Sequence, residues 1–418
     1  MPGRKWLSAF WAIFTFAGSI ISLCNASPSL LASTNYSLES ASPSTWNTTS
    51  HRRRPSRHPS PMPHPTHLPP GIKGGYWPSW LAEKHPPSII PTSYFTHLFY
   101  AFVAPEATTY QLSITSRNDK WMRKFTHTLH AKTPRAKAFL SIVGGPVIFS
   151  NLASTQKSRA AFINSTIGVA REYGFDGLDL DWEFPNTPQD MSNLALLFKE
   201  CRKAVQNESH SSGKPRLHVS AAVYFAPKFL LSNVSRTYPG KAIKKYVDFV
   251  SPMCYNYHGS WDTSATSSHA LLYDPASNIS TSHGISSWIK VGVPPRKLVM
   301  GLPLFGRTWK LKSPSAHVIG APAVGTGTGH RGVMSYSAIV DYNVANSANV
   351  AYDPHTVSTY SYVGDNWIGY DGPRSIQEKV KFARARGLGG YFFWALGYDK
   401  KWSLSAAASS AWDKKSKS

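Results

Sequence analysis

Four carboxylates stand within eight consecutive positions, Asp176-Gly177-Leu178-Asp179-Leu180-Asp181-Trp182-Glu183, in a chain that is only 16% charged. Side chains alternate between faces along a strand, so Asp179, Asp181 and Glu183 share one face while Leu178, Leu180 and Trp182 pack on the other. Asp176 falls off that register and reads as a structural residue that turns or anchors the strand near Gly177. Like charges spaced by one strand repeat do not all ionise cheaply, so the row is expected to hold a proton near neutral pH, with titration belonging to the group. A carboxyl kept protonated is a general acid. A solvated acidic edge strand or a calcium loop would be the plainer reading. The large apolar residues between the acids argue against the first, and the spacing is not that of a calcium-binding loop.

The segments that must hold this row repeat along the chain. Short apolar or β-branched runs occupy 74–77, 95–103, 136–145, 175–183, 217–224, 247–257, 298–305 and 389–394, with amphipathic stretches between them, notably 192–205 and 375–386. Eight strand-helix units predict an α/β fold, a parallel (β/α)8 barrel whose active groups lie at the carboxyl ends of the strands. Glu183 closes the fourth run. The interval from about 307 to 373 is too long for one helix and contains alternating segments at 350–352 and 358–362. It predicts a small α+β insertion between strand 7 and helix 7, either one wall of a substrate groove or a surface decoration.

Arg4 and Lys5 precede an apolar run from Trp6 to Cys24, with small residues about Ala26. Residues 1–26 are therefore expected to be a secretory signal peptide, an uncleaved anchor being the alternative. Sequons at Asn35, Asn47, Asn164, Asn207, Asn233 and Asn278 are compatible with that route. The expected location is extracellular, or alternatively vacuolar. Residues 27–71, rich in Ser, Thr, Pro, His and Arg, are expected to be disordered because they offer too little apolar surface to bury. Of three cysteines, Cys24 lies in the leader; Cys201 and Cys254 are expected to be buried small hydrophobes, not a disulfide or a metal site. No CxxC or HExxH spacing offers zinc ligands, and no metal or other cofactor is expected. The formal charge of +23 suits anionic cell-wall polymers better than nucleic acid, and a monomer without stable membrane association is expected. Fourteen Trp and twenty Tyr supply both core and faces on which sugar rings stack.

The acid row matches the DGxDxDxE signature of glycoside hydrolase family 18, and the region 72–415 resembles the plant class V chitinases. Three further blocks fit in the same order: Lys73-Gly-Gly-Tyr-Trp77, Met253-Cys-Tyr-Asn256 and Gly390-Tyr-Phe-Phe-Trp-Ala395. The resemblance implies hydrolysis of chitin or chitooligosaccharides by a retaining, substrate-assisted mechanism, an exception to the usual two-carboxylate scheme. By that resemblance Glu183 is the general acid and base and Asp181 orients the substrate acetamido group. Asp179 shares a proton with Asp181, and Tyr255 hydrogen-bonds the acetamido oxygen. Trp394 floors the sugar subsite at the cleavage point, while Met253, Asn256, Tyr76 and Arg307 contact substrate or wall the site.

Two positions depart from the family pattern. Asn256 stands where an Asp is usual, which removes a charge and implies a lower pH optimum or weaker rate than Asn256→Asp would show. The block Ser141-Ile-Val-Gly-Gly145 places Val143 where the family has glycine. Two other readings stay open: a chitin lectin or sensor on the same fold, and an endo-acting hydrolase of N-glycan cores. Retention of Glu183 weighs against the lectin. Endo or exo action, chain-length preference and biological target (fungal wall, insect cuticle or a lipo-chitooligosaccharide signal) are not fixed by these residues.

Overall fold

Strands flanked by helices on the outside of a barrel and by packed side chains within it are buried on both faces. The acid-bearing run meets that condition, with all six residues of Gly177–Trp182 buried. In the computed structural model, which describes residues 71–231 and 234–414, it is the fourth of eight barrel strands. These are β1 (Ile72–Pro78), β2 (His97–Pro105), β3 (Lys137–Gly144), β4 (Gly177–Trp182), β5 (His218–Tyr224), β6 (Phe249–Met253), β7 (Val299–Pro303) and β8 (Gly390–Trp394). All pair in parallel in the order β7-β8-β1-β2-β3-β4-β5-β6. A parallel bridge between Val250 and Leu298 draws β6 to β7 and nearly closes the ring. All eight expected strands are present. The expected signal peptide, residues 27–70 of the segment that follows it, Cys24 and the sequons at Asn35, Asn47 and Asn233 lie outside the described residues.

Below the acids the barrel is filled by Tyr76, Phe99, Phe139, Phe249, Val299 and Phe392. Gly177 opens β4 because this filling leaves no room for more: a Cβ there would stand 2.5 Å from the Phe139 ring. The helix after β4 runs from Pro188 to Ser212, longer than expected at both ends. Thr187 caps its start by accepting from the Asp190 N–H, and Gly213 ends it in the left-handed conformation at φ 69°. Cys201 on this helix and Cys254 after β6 are buried free thiols, each pushed up to about 12 by burial.

The strand expected at 247–257 is shorter than the sequence suggests. It ends at Met253 because the N–H groups of Cys254 and Tyr255 turn back to Pro252 and Met253 carbonyls, and Asn256 takes a positive φ of 62°. Asn tolerates that region better than most residues. Tyr255 and Asn256 therefore sit on the rim of the barrel and not within a strand.

The insertion begins at Phe305, immediately after β7, and forms a six-stranded antiparallel sheet that ends at Tyr370, with a helix at Tyr336–Ala345. Trp309 and Trp367, both fully buried with ring centroids 5.5 Å apart, form its own core. Asp371 and Lys379, 2.6 Å apart and buried, fasten the end of this sheet to the helix Pro373–Ala385 that leads to β8. A hairpin of Lys228–Leu231 and Val234–Thr237, not foreseen from the sequence, follows β5.

Candidate active site

The register of β3, β4 and β5 decides what each acid touches. Asp179 lies opposite Ser141 on one side and Ser220 on the other. Its Oδ2 accepts from the Ser141 hydroxyl and the Tyr76 phenol, each at 2.8 Å, and its Oδ1 accepts from the Ser220 hydroxyl at 2.7 Å. Burial pushes this carboxyl up, and the three hydroxyl donors oppose that rise by favouring the charged form. Asp179 is thus a buried carboxylate held in a cage of hydroxyls.

Asp181, one repeat higher, lies within hydrogen-bonding reach of Glu183. The resemblance implied a proton shared between Asp179 and Asp181; here the Asp179 oxygens accept from three hydroxyls, and the Asp179 charge helps to raise Asp181. Asp181 is raised well above the usual carboxylate range by burial first, then by the charges of Glu183 and Asp179. Its Oδ1 is buried with no hydrogen-bond partner. Glu183, just past the end of β4 and 9% exposed, is pushed up to about 7 by burial, with the Asp181 hydrogen bond acting in the opposite direction. The two groups titrate as a pair that keeps a proton close to neutrality. Such a pair delivers a proton through its outer member and offers an acceptor at the inner one.

Tyr255 is buried beside them and is raised far above its ordinary value by burial and then by the charges of Glu183 and Asp181. It stays a phenol and a hydrogen-bond donor. Trp394, at the end of β8, stacks on Phe102 at 5.5 Å and 21° and meets Tyr76 edge-on at 5.7 Å. Trp80 stands 6.3 Å from Trp394 and 6.2 Å from Phe102. These rings make an aromatic wall at the carboxyl ends of β1, β2 and β8, a form suited to the apolar face of a pyranose.

Asn256 and Arg307 form one unit. Arg307 is almost fully buried, and its Nε and Nη2 donate to the Asn256 Oδ1 at 3.1 and 2.7 Å. Its guanidinium lies 4.9 Å from the Trp261 ring centre, and burial lowers it to about 10. Met253, half-buried, closes β6 beside this pair. Asp176 is far from the chemistry by position, at the amino end of β4. It accepts from Arg135 at 2.9 Å and the Ala138 N–H at 2.8 Å, and pairs with His130 at 2.8 Å. It ties the start of β4 to β3.

The sequence singled out every acid of the row, and Tyr76 as a wall or substrate contact; it did not show that Tyr76, Ser141 and Ser220 donate to Asp179. Ser220, a small polar residue inside an otherwise apolar strand, carried a signal. Phe102 and Trp80 carried none, since their place beside Trp394 comes from the closure of the barrel. Among the described residues no cluster of three His, Cys, Asp or Glu side chains is arranged to hold a metal.

An eight-stranded parallel barrel with a proton-holding carboxyl pair at the end of β4 and an aromatic wall across its mouth defines a glycosidase. The model of the glycosyl hydrolases family 18 matches residues 73–399. The chain is 50% identical over 347 residues to the class V chitinase CHIT5a of Medicago truncatula, covering 82% of this chain and 90% of that one. Its structure matches a class V chitinase from Nicotiana tobaccum in complex with NAG4 at a TM-score of 0.78 and 39% identity, covering 82% of this chain and 99% of that one. The chitinase-like agglutinin RobpsCRA from Robinia pseudoacacia matches at a TM-score of 0.75 and 41% identity, with the same coverage of 82% and 99%. The chain belongs to family 18 of the glycosyl hydrolases and is a glycoside hydrolase of the chitinase type.

Proposed function

We propose that the enzyme hydrolyses β-1,4-linked N-acetylglucosamine polymers and oligomers with retention of configuration, using the substrate's own acetamido group as nucleophile. The observation that carries this reading is the partnerless buried Oδ1 of Asp181 beside a Glu183 poised near 7. A retaining enzyme of the ordinary kind needs a second carboxylate as nucleophile about 5 Å from the acid. Here the inner carboxyl stands against the acid itself, and no N–H or hydroxyl of the protein reaches its Oδ1.

Glu183 gives its proton to the glycosidic oxygen as the bond from that oxygen to the anomeric carbon breaks. The acetamido carbonyl oxygen attacks the anomeric carbon and closes an oxazolinium ring. Asp181 accepts the acetamido N–H and balances the positive charge, and Tyr255 donates to the acetamido oxygen. Glu183, now a carboxylate, takes a proton from a water that adds to the anomeric carbon and reopens the ring. The aromatic wall around Trp394 holds the sugar at the cleavage point. Chitooligosaccharide as substrate is supported by the NAG4 complex of the tobacco relative. The leader-like Arg4, Lys5 and apolar run support a secreted glycoprotein that acts outside the cell or in the vacuole, and the charge of +23 supports contact with anionic wall polymers. Plant defence against chitinous walls fits such a location.

A second reading, a sugar-binding protein without turnover, is raised by the likeness to the Robinia agglutinin. Incubation with N-acetylglucosamine oligomers separates the two. Cleavage by the parent and its loss in Glu183→Gln supports hydrolysis; binding without cleavage by the parent overturns it. Cleavage confined to glycoprotein cores would reassign the substrate.

A further inference from the structure

Asp179 and Asp181 occupy equivalent places one strand repeat apart, yet their lateral neighbours differ in kind. Across the pairing with β3 and β5, Asp179 is flanked by Ser141 and Ser220, and both hydroxyls bond to it. At the next inward layer Asp181 is flanked by Val143 and Ala222, which offer no donor. Val143 shares the inward face of β3 with Ser141 and is half-buried, while Ala222 is buried. In the register an isopropyl group and a methyl group thus stand beside Asp181 where two hydroxyls stand beside Asp179. Nothing from β3 or β5 competes with Glu183 for it, and its Oδ1 is left without a partner.

We infer that Val143 is a positioning residue that denies Asp181 any donor from β3, so that its carboxyl is reserved for Glu183 and the substrate amide. The inference rests on the reading of Asp181 and Glu183 as the reacting pair. Without a lateral donor the charged form of Asp181 is poorly solvated, and the pair holds its first proton to higher pH than it otherwise would. The acid limb of the rate profile is thereby set by an apolar side chain that never contacts a proton.

Val143→Thr tests this because it keeps the volume and adds the hydroxyl that Ser141 supplies one layer below. Val143→Ala, which makes room for a water but adds no hydroxyl, serves as the second variant and decides the matter if the threonine variant does not fold. The profile of kcat against pH on the hexamer of N-acetylglucosamine is expected to move its acid limb down by about one pH unit in Val143→Thr, and by less in Val143→Ala. The basic limb and the melting temperature at pH 5 should stay close to the parent. Superimposable profiles in a folded variant overturn the inference, because a residue that only packs would change melting without moving the limb. Melting temperature against pH gives a readout that needs no turnover: a lowered Asp181 proton affinity makes Val143→Thr gain stability relative to the parent as pH rises. An inactive parent would defeat the hydrolytic reading, and the melting comparison would still decide the role of Val143.

Discussion

Glu183→Gln is expected to abolish turnover and, above neutral pH, to make the protein more stable. In the folded state burial raises Glu183 from 4.5 to about 7. A carboxyl whose folded value is raised favours the fold below its unfolded value and loses that contribution as pH climbs through the folded one. Below about pH 4.5 both Glu183 and a glutamine in its place are neutral, so the two proteins should melt together. Above pH 7 the parent must bury a charge and the variant need not. At about 1.4 kcal/mol per pH unit the full difference is about 3 kcal/mol, and coupling to Asp181 reduces it to about 2. For a domain of this size that corresponds to about 3 to 4 °C in melting temperature. The assay is thermal melting of both proteins from pH 4 to pH 9. The difference should open between pH 4.5 and 7 and then level off. A difference that is constant with pH would refute the claim that Glu183 is held protonated by its surroundings, and with it the electrostatic part of the account. The gain is the stability given up for function that active sites commonly show.

Three other outcomes follow from the same geometry. Asn256→Asp places a carboxylate under both Arg307 donors, so melting should rise by about 1 kcal/mol and the added charge should move the basic limb of the rate profile upward; an unchanged profile removes the effect of position 256 on the acid. Ser220→Ala leaves Asp179 with two donors in place of three, and should lower stability at pH 7 by about 1 to 3 kcal/mol with a smaller loss at pH 4, read by denaturant unfolding. Phe102→Ala removes the ring on which Trp394 stacks, and should raise KM for the tetramer several-fold while kcat falls less; equal falls in kcat and kcat/KM would place the wall in transition-state and not ground-state binding.

Much of this site was open to inspection in the primary structure because the relevant physics is local. Strand parity placed Asp179, Asp181 and Glu183 on one face and set Asp176 apart, and the eight apolar runs became the eight strands. What parity does not convey is register between strands far apart in sequence. That register brings Ser141 and Ser220 to Asp179 and leaves Val143 and Ala222 beside Asp181. The early end of β6 was hidden for a related reason. Met253-Cys-Tyr-Asn256 continues an apolar run, and only the turn back to Pro252 and the left-handed Asn256 show that Tyr255 belongs to the rim. Arg307 likewise stood within the insertion, fifty-one positions from the Asn256 it holds.

The anomeric form of the first-formed product tests the central claim most directly. Proton NMR during early hydrolysis of the N-acetylglucosamine hexamer should show the new reducing end as the β-anomer, followed by slow mutarotation, and a fully de-N-acetylated hexamer should not be cleaved. Initial release of the α-anomer, or cleavage of the de-N-acetylated chain at a comparable rate, would contradict a mechanism in which Glu183, Asp181 and the substrate's own acetamido group carry out the reaction.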